Sequence, residues 1–163
     1  MEPPKSKVGI YYYSLSGRTK EVCVELSRLL NCYIEEIIDL RERRGFLQFF
    51  RNGFEALFNK ETQIAPLKSS IRDFDVVIVG TPIWAGKIPP AVRTFVNQNA
   101  SDIRKYALVF TYGFELAKRA VSAFEKILGA PPAGIAGCTT REVDEENFSN
   151  ELQNFIKMIS IYI

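Results

Sequence analysis

A chain of 163 residues, 47% hydrophobic and 25% charged, has the make-up of one globular domain around one core. Its 21 basic and 19 acidic residues leave a net charge of +2, which argues against nucleic-acid binding by bulk electrostatics. There is no histidine, and the three cysteines (Cys23, Cys32 and Cys138) form no C-x-x-C pair. This removes Ser–His–Asp and Cys–His nucleophile systems, the usual zinc sites and a disulfide framework, and leaves any chemistry to a bound cofactor.

Met1–Lys5 carries two prolines and little to bury, so it is expected to be a disordered tail on a single domain spanning 1–163. Val8–Tyr13 is a β-prone run. A polar loop, Ser14–Thr19, follows, and then Val22, Leu26, Leu29 and Leu30 fall at helical spacing. Tyr33–Ile38 is rich in β-branched and aromatic residues and predicts a second strand. In the basic, aromatic stretch that follows, Phe46, Phe50, Phe54 and Leu57 recur every three or four residues and predict an amphipathic helix. A contact of Arg41–Lys60 with a partner, quinone or membrane surface is the sharper alternative there.

Val76–Val79 is an unbroken apolar run closed by Gly80, the pattern of a strand buried on both faces. Pro89 and Pro90 open a helix whose inner face is Val92, Phe95 and Val96. Tyr106–Thr111 predicts a fourth strand. Leu116, Ala120, Val121, Phe124 and Leu128 give the next helix face. Gly134–Thr140 is a fifth, weaker strand, and Phe148, Leu152, Phe155, Ile156 and Ile159 define a last helix. Strict alternation of strand and helix predicts an α/β fold: a parallel five-stranded sheet with helices on both faces. No apolar run approaches the roughly 20 residues of a membrane helix. No signal-peptide pattern is visible, so a cytoplasmic location is expected.

In such sheets ligands bind beyond the carboxyl ends of the strands. Three loops lie there. Ser14, Leu15, Ser16, Gly17, Arg18 and Thr19 bring three hydroxyls and a glycine directly onto a helix start, where free N–H groups and the helix dipole favour an anion. An ordinary N-cap is the alternative. The loop lacks both G-x-x-x-x-G-K-[ST] and G-x-G-x-x-G, which argues against a nucleotide triphosphatase and a dinucleotide fingerprint. Thr81, Pro82, Ile83, Trp84, Ala85, Gly86 and Lys87 hold the chain's one tryptophan, either stacking on a planar ligand or packed as core. Tyr112, Gly113 and Phe114 put aromatics and a glycine at the fourth strand's end. Together the loops describe a mononucleotide with a flat ring.

Tyr-Ser-Leu-Ser-Gly-Arg-Thr at 13–19 and Gly-Thr-Pro-Ile-Trp-Ala-Gly-Lys-Ile-Pro-Pro at 80–90 resemble the phosphate loop and the first ring loop of the flavodoxin family. The resemblance runs from Val8 to the last helix. It implies a three-layer α/β/α sandwich with strand order 2-1-3-4-5 in a short-chain form. It also implies bound FMN: phosphate on Ser14, Ser16, Gly17, Arg18 and Thr19, ring bordered by Thr81–Gly86 and by Tyr112, Gly113 and Phe114. Electron-carrier flavodoxins are typically very acidic, and this chain is not. Three functions stand: electron transfer with a redox partner protein, an NAD(P)H-dependent FMN, quinone or protoporphyrinogen-type reductase, and a non-catalytic interaction module that has lost flavin.

Overall fold

Strand residues that alternate between two opposite cores organise the molecule. The computed structural model describes residues 7–40, 62–84, 86–113 and 118–163. Within these, β1 (Val8–Tyr12), β2 (Tyr33–Glu36), β3 (Val76–Pro82), β4 (Tyr106–Tyr112) and β5 (Ile135–Thr139) form one parallel sheet in the order β2-β1-β3-β4-β5. The period of 2 along a strand sends neighbours to opposite faces. Thus Tyr11, Val77, Val79, Leu108 and Phe110 enter one core, while Ile10, Tyr12, Ile78, Ala107 and Val109 enter the other.

Helices α1 (Arg18–Leu30), α2 (Pro90–Asn99), α3 (Lys118–Leu128), α4 (Thr140–Asp144) and α5 (Ser149–Ile159) cover the sheet. Val92, Phe95 and Val96 of α2 pack with Ala120 and Phe124 of α3 on the first face. Val22, Cys23 and Leu26 of α1 pack with Leu152, Phe155 and Ile159 of α5 on the second. Each of these large apolar side chains contributes about 1.5–3 kcal/mol relative to exposure, so the two cores carry most of the driving force. The three-layer architecture and the strand order expected from the sequence are both present.

Strand ends shift where neighbours extend the ladder. β3 runs past Gly80 to Pro82 and β4 to Tyr112, because Pro82 still pairs with Thr111. Gly80 is required there for closeness rather than for its turn: a Cβ would run into Cys23 Sγ of α1 and lie 2.9 Å from Tyr12 Cβ. β5 stops at Thr139, and Thr140 instead starts α4, whose Thr139–Glu142 capping box satisfies the helix start from both sides. The Thr139-x-x-Glu142 spacing is the sequence signal of that helix, and the strand reading passed over it.

The β2 edge is covered by the segment after residue 62. Asp39 bridges Ile64, and the carboxylate of Glu35 accepts from Lys68 N at 2.7 Å and Tyr33 Oη at 2.8 Å. A buried carboxylate with three protein donors, counting Ser69 Oγ, is satisfied. The amphipathic helix expected over Phe46–Leu57, the rest of Arg41–Lys60 and the tail Met1–Lys5 lie outside the described residues.

Candidate cofactor site

The loops after β1, β3 and β4 meet because their strands are adjacent. Tyr12 pairs with Gly80 and Pro82 with Thr111, so the three carboxyl ends stand side by side. β1 and β3 are also where the strand order reverses, since the chain leaves β1 for β2 on one side and returns to β3 on the other. Backbone bonds pin the loop bases: Tyr13 N to Gly80 O at 2.9 Å and Ile83 N to Thr111 O at 2.8 Å.

At the first loop, Gly17 is the N-cap of α1 with φ +91°, a left-handed conformation that glycine adopts without strain. As a glycine, the N-cap residue itself offers no side-chain acceptor. The first N–H groups of this turn to meet acceptors are Lys20 N, on Ser14 Oγ at 3.2 Å, and Glu21 N, on Gly17 O at 2.9 Å. Those of Ser16, Gly17, Arg18 and Thr19 have no acceptor among the described residues. A Cβ on Gly17 would meet nothing within 4 Å, so the hollow before the helix is open. Ser16 is exposed, Ser14 and Leu15 half-buried. Thr19 is buried, its Oγ1 2.7 Å from Thr111 Oγ1, which ties the helix start to the end of β4.

Arg18 turns aside. Its Nε and Nη2 donate to Asp144 Oδ1 and Oδ2 at 2.6 and 2.9 Å, and its Nη1 lies 3.4 Å from Ser16 Oγ. This bond raises the guanidinium's pKa and holds the Asp144 carboxyl below its ordinary range. The side chain's charge is therefore directed at Asp144, not at the open end of α1.

At the second loop, Trp84 and Lys87 exchange both backbone N–H···O bonds, at 3.0 and 2.9 Å, with Gly86 at φ +73° closing the turn. Thr81 is wholly buried and donates to Pro82 O, and Ile83 is in the first core. These two hold the loop, while Trp84 stands half-buried at its mouth. Tyr13 meets the Trp84 ring edge-on at 6.0 Å, so the indole is oriented by the residue that opens the first loop. Tyr112 is half-buried and Gly113 exposed with open space before it. Burial, with Glu142 and Glu151 nearby, raises the Tyr112 pKa, so its hydroxyl stays protonated at neutral pH. Thr140 Oγ1 donates to Tyr112 O at 3.3 Å, placing α4 behind the third loop. Ala85 and Phe114 lie outside the described residues.

Thr140 and Asp144 are the residues outside the three loops that the structure brings to the candidate site. Tyr13 was readable, since it follows β1 directly and opens the 13–19 run. Asp144 is 126 positions from Arg18 and carries no sequence signal.

Burial pushes the Cys23 thiol up, and the Cys138 thiol to about 12, so neither is a thiolate at neutral pH. Among the described residues no cluster of acidic or cysteine side chains is arranged for a metal, and no helix is long and apolar enough to cross a membrane. The donor set of the first loop suits a phosphate monoester, with free backbone N–H groups, two accessible hydroxyls and a positive helix end. The flat apolar ring at the second loop suits a planar group beside it.

A model of the flavodoxin domain matches residues 56–159. The chain belongs to the flavodoxin-domain family. No curated protein sequence matches it. Among solved structures, this flavodoxin-like chain is similar to a Bacteroides eggerthii protein with TM-score 0.70 and 18% identity, over 96% of this chain and 99% of that one. A Lactobacillus acidophilus flavoprotein in complex with FMN matches with TM-score 0.58 and 22% identity, over 86% and 97%. A Streptococcus pneumoniae flavodoxin matches with TM-score 0.54 and 15% identity, over 97% and 100%. At these identities the likeness is one of fold.

Proposed function

We propose that this flavodoxin-domain protein binds FMN, with the phosphate on the Ser14–Thr19 loop and the ring between the Trp84 loop and the Tyr112–Gly113 loop, and that it acts in electron transfer. The observation that carries the reading is the run of N–H groups from Ser16 to Thr19 without acceptors, opening at the strand-order reversal beside Trp84. The FMN complex of the Lactobacillus acidophilus flavoprotein, which shares the fold, supports it.

FMN, when bound, supplies the redox chemistry, and the protein supplies binding, orientation and electrostatics. The Ser16–Thr19 N–H groups and the α1 dipole bind the phosphate. Ser14 and Ser16 hydroxyls complete its shell. Trp84, set by Tyr13, covers one side of the ring and limits water access. Tyr112 stays neutral and adds no charge near it.

Ala85, Gly86 and Phe114 complete the proposed ring border, with Thr81, Pro82 and Ile83 as the rigid base of that loop. A reductase of the same fold, taking electrons from NAD(P)H and passing them to a quinone-type acceptor, is the second reading. The net charge of +2 favours it, because a carrier that docks basic partners through an acidic face would be expected to be strongly negative.

Titration of the flavin-free protein with FMN and with riboflavin tests the binding site. FMN is expected to bind about tenfold or more tighter than riboflavin, since only FMN carries the phosphate. Equal affinity for the two would defeat the phosphate assignment. NAD(P)H consumption in the presence of quinone separates the reductase from the carrier.

A further inference from the structure

We propose that Asp144 is a specificity-determining residue of the phosphate loop: it holds the Arg18 guanidinium away from the bound anion and so limits how strongly the site prefers a phosphorylated flavin. The inference rests on the FMN reading above.

The guanidinium stands between two acceptors. Two of its nitrogens form a bidentate pair with Asp144, at 2.6 and 2.9 Å, and the third reaches 3.4 Å from Ser16 Oγ on the loop itself. A cation of this geometry on the first residue of α1 is within reach of an anion held by the same turn. Bidentate Arg–carboxylate bonds are strong and directional, so the carboxylate wins the guanidinium as long as it is ionised.

Asp144 is well placed to do so. It is the last residue of α4, which the Thr139–Glu142 capping box fixes at one end and the Thr140–Tyr112 bond fixes against the ring loop. Its own helix end is the negative one, where a carboxylate gains nothing from the dipole. The pairing with Arg18 is what the position offers it. α4 thereby touches both ends of the site, through Arg18 at the phosphate loop and through Tyr112 at the ring loop.

With Asp144 ionised, discrimination between phosphorylated and plain flavin rests on the neutral donors of Ser14–Thr19. Removing the Asp144 charge frees Arg18 for the phosphate, which favours FMN while leaving riboflavin untouched.

The test is the ratio of riboflavin to FMN dissociation constants, measured by flavin fluorescence on the whole chain stripped of flavin. Asp144→Asn is expected to raise this ratio by about three- to tenfold, through FMN alone, and to steepen the loss of FMN affinity with salt. Adding Arg18→Gln to Asp144→Asn should return the ratio to the wild-type value. Glu125→Gln, which removes a charge from α3, should leave it unchanged. An unchanged or lower ratio in Asp144→Asn overturns the proposal, the lower ratio because it shows the ion pair shaping the loop for phosphate instead. A gain that persists in the double variant also overturns it. A wild-type protein that binds both flavins equally overturns the phosphate site itself, and this proposal with it.

Discussion

The two ends of the site are built by different means. The proposed phosphate end is local: Ser14 to Thr19 are consecutive, and Gly17 turns left-handed directly before α1. The ring end is assembled from distant pieces: Tyr13 against Trp84, Thr140 behind Tyr112, and β3 paired with β4 beneath both loops. A local site is robust to changes elsewhere and sensitive to backbone geometry. An assembled site depends on the packing that brings its parts together. Two contacts join the ends, Thr19 to Thr111 and Arg18 to Asp144.

The comparison breaks most sharply at the shared base. Gly80→Val is expected to destabilise the fold by about 3 kcal/mol, since the added side chain meets Cys23 and Tyr12, and both ends should be lost together. Denaturant unfolding checks this, with a midpoint near wild type counting against it. Thr19→Val leaves Thr111 with a buried hydroxyl and no partner, an expected loss of about 2 kcal/mol in the same assay. It should weaken FMN more than riboflavin, because the phosphate end moves while the ring loops stay.

Gly17→Ala places a Cβ on a left-handed residue and is expected to cost about 1 kcal/mol of stability. Space is not the reason, since nothing lies within 4 Å. Trp84→Ala is expected to weaken FMN and riboflavin equally, by about 1 kcal/mol, with little change in unfolding. A selective loss of FMN in Trp84→Ala would show that the two ends are not separable.

The smallest effect concerns α4. Bonds from the Thr139 backbone and hydroxyl hold the Glu142 carboxyl below its ordinary range. A depressed carboxyl contributes stability above its unfolded pKa, about 4.3, and loses it as pH falls through the lower folded value. Glu142→Gln should flatten the acid limb of the stability curve below about pH 4 and leave neutral stability within about 0.5 kcal/mol. An unaltered acid limb would remove Glu142 from the account.

Much of this could be read from the chain before any coordinates. Val76–Val79 announces a strand buried on both faces, and Val22, Leu26, Phe124 and Phe155 announce helices facing a core, because burial imposes periods of 2 and 3.6 on apolar residues. The loop proposed to hold the phosphate is equally readable, since its hydroxyls and glycine lie in six consecutive residues at a strand–helix junction. α4 was missed although Thr139 and Glu142 carry its signal, because Gly134–Thr140 also suits an edge strand and continues directly into it.

By itself, then, the sequence determined the parallel three-layer architecture and the position of the strand–helix turn proposed to bind the phosphate, since both follow from local pattern and spacing. Only the tertiary structure decided which neighbours those residues face. It turned Arg18 towards Asp144, bonded Thr19 to Thr111 and set Tyr13 against Trp84. Such contacts join residues up to 126 positions apart, and they depend on strand register and helix docking, which no local spacing encodes.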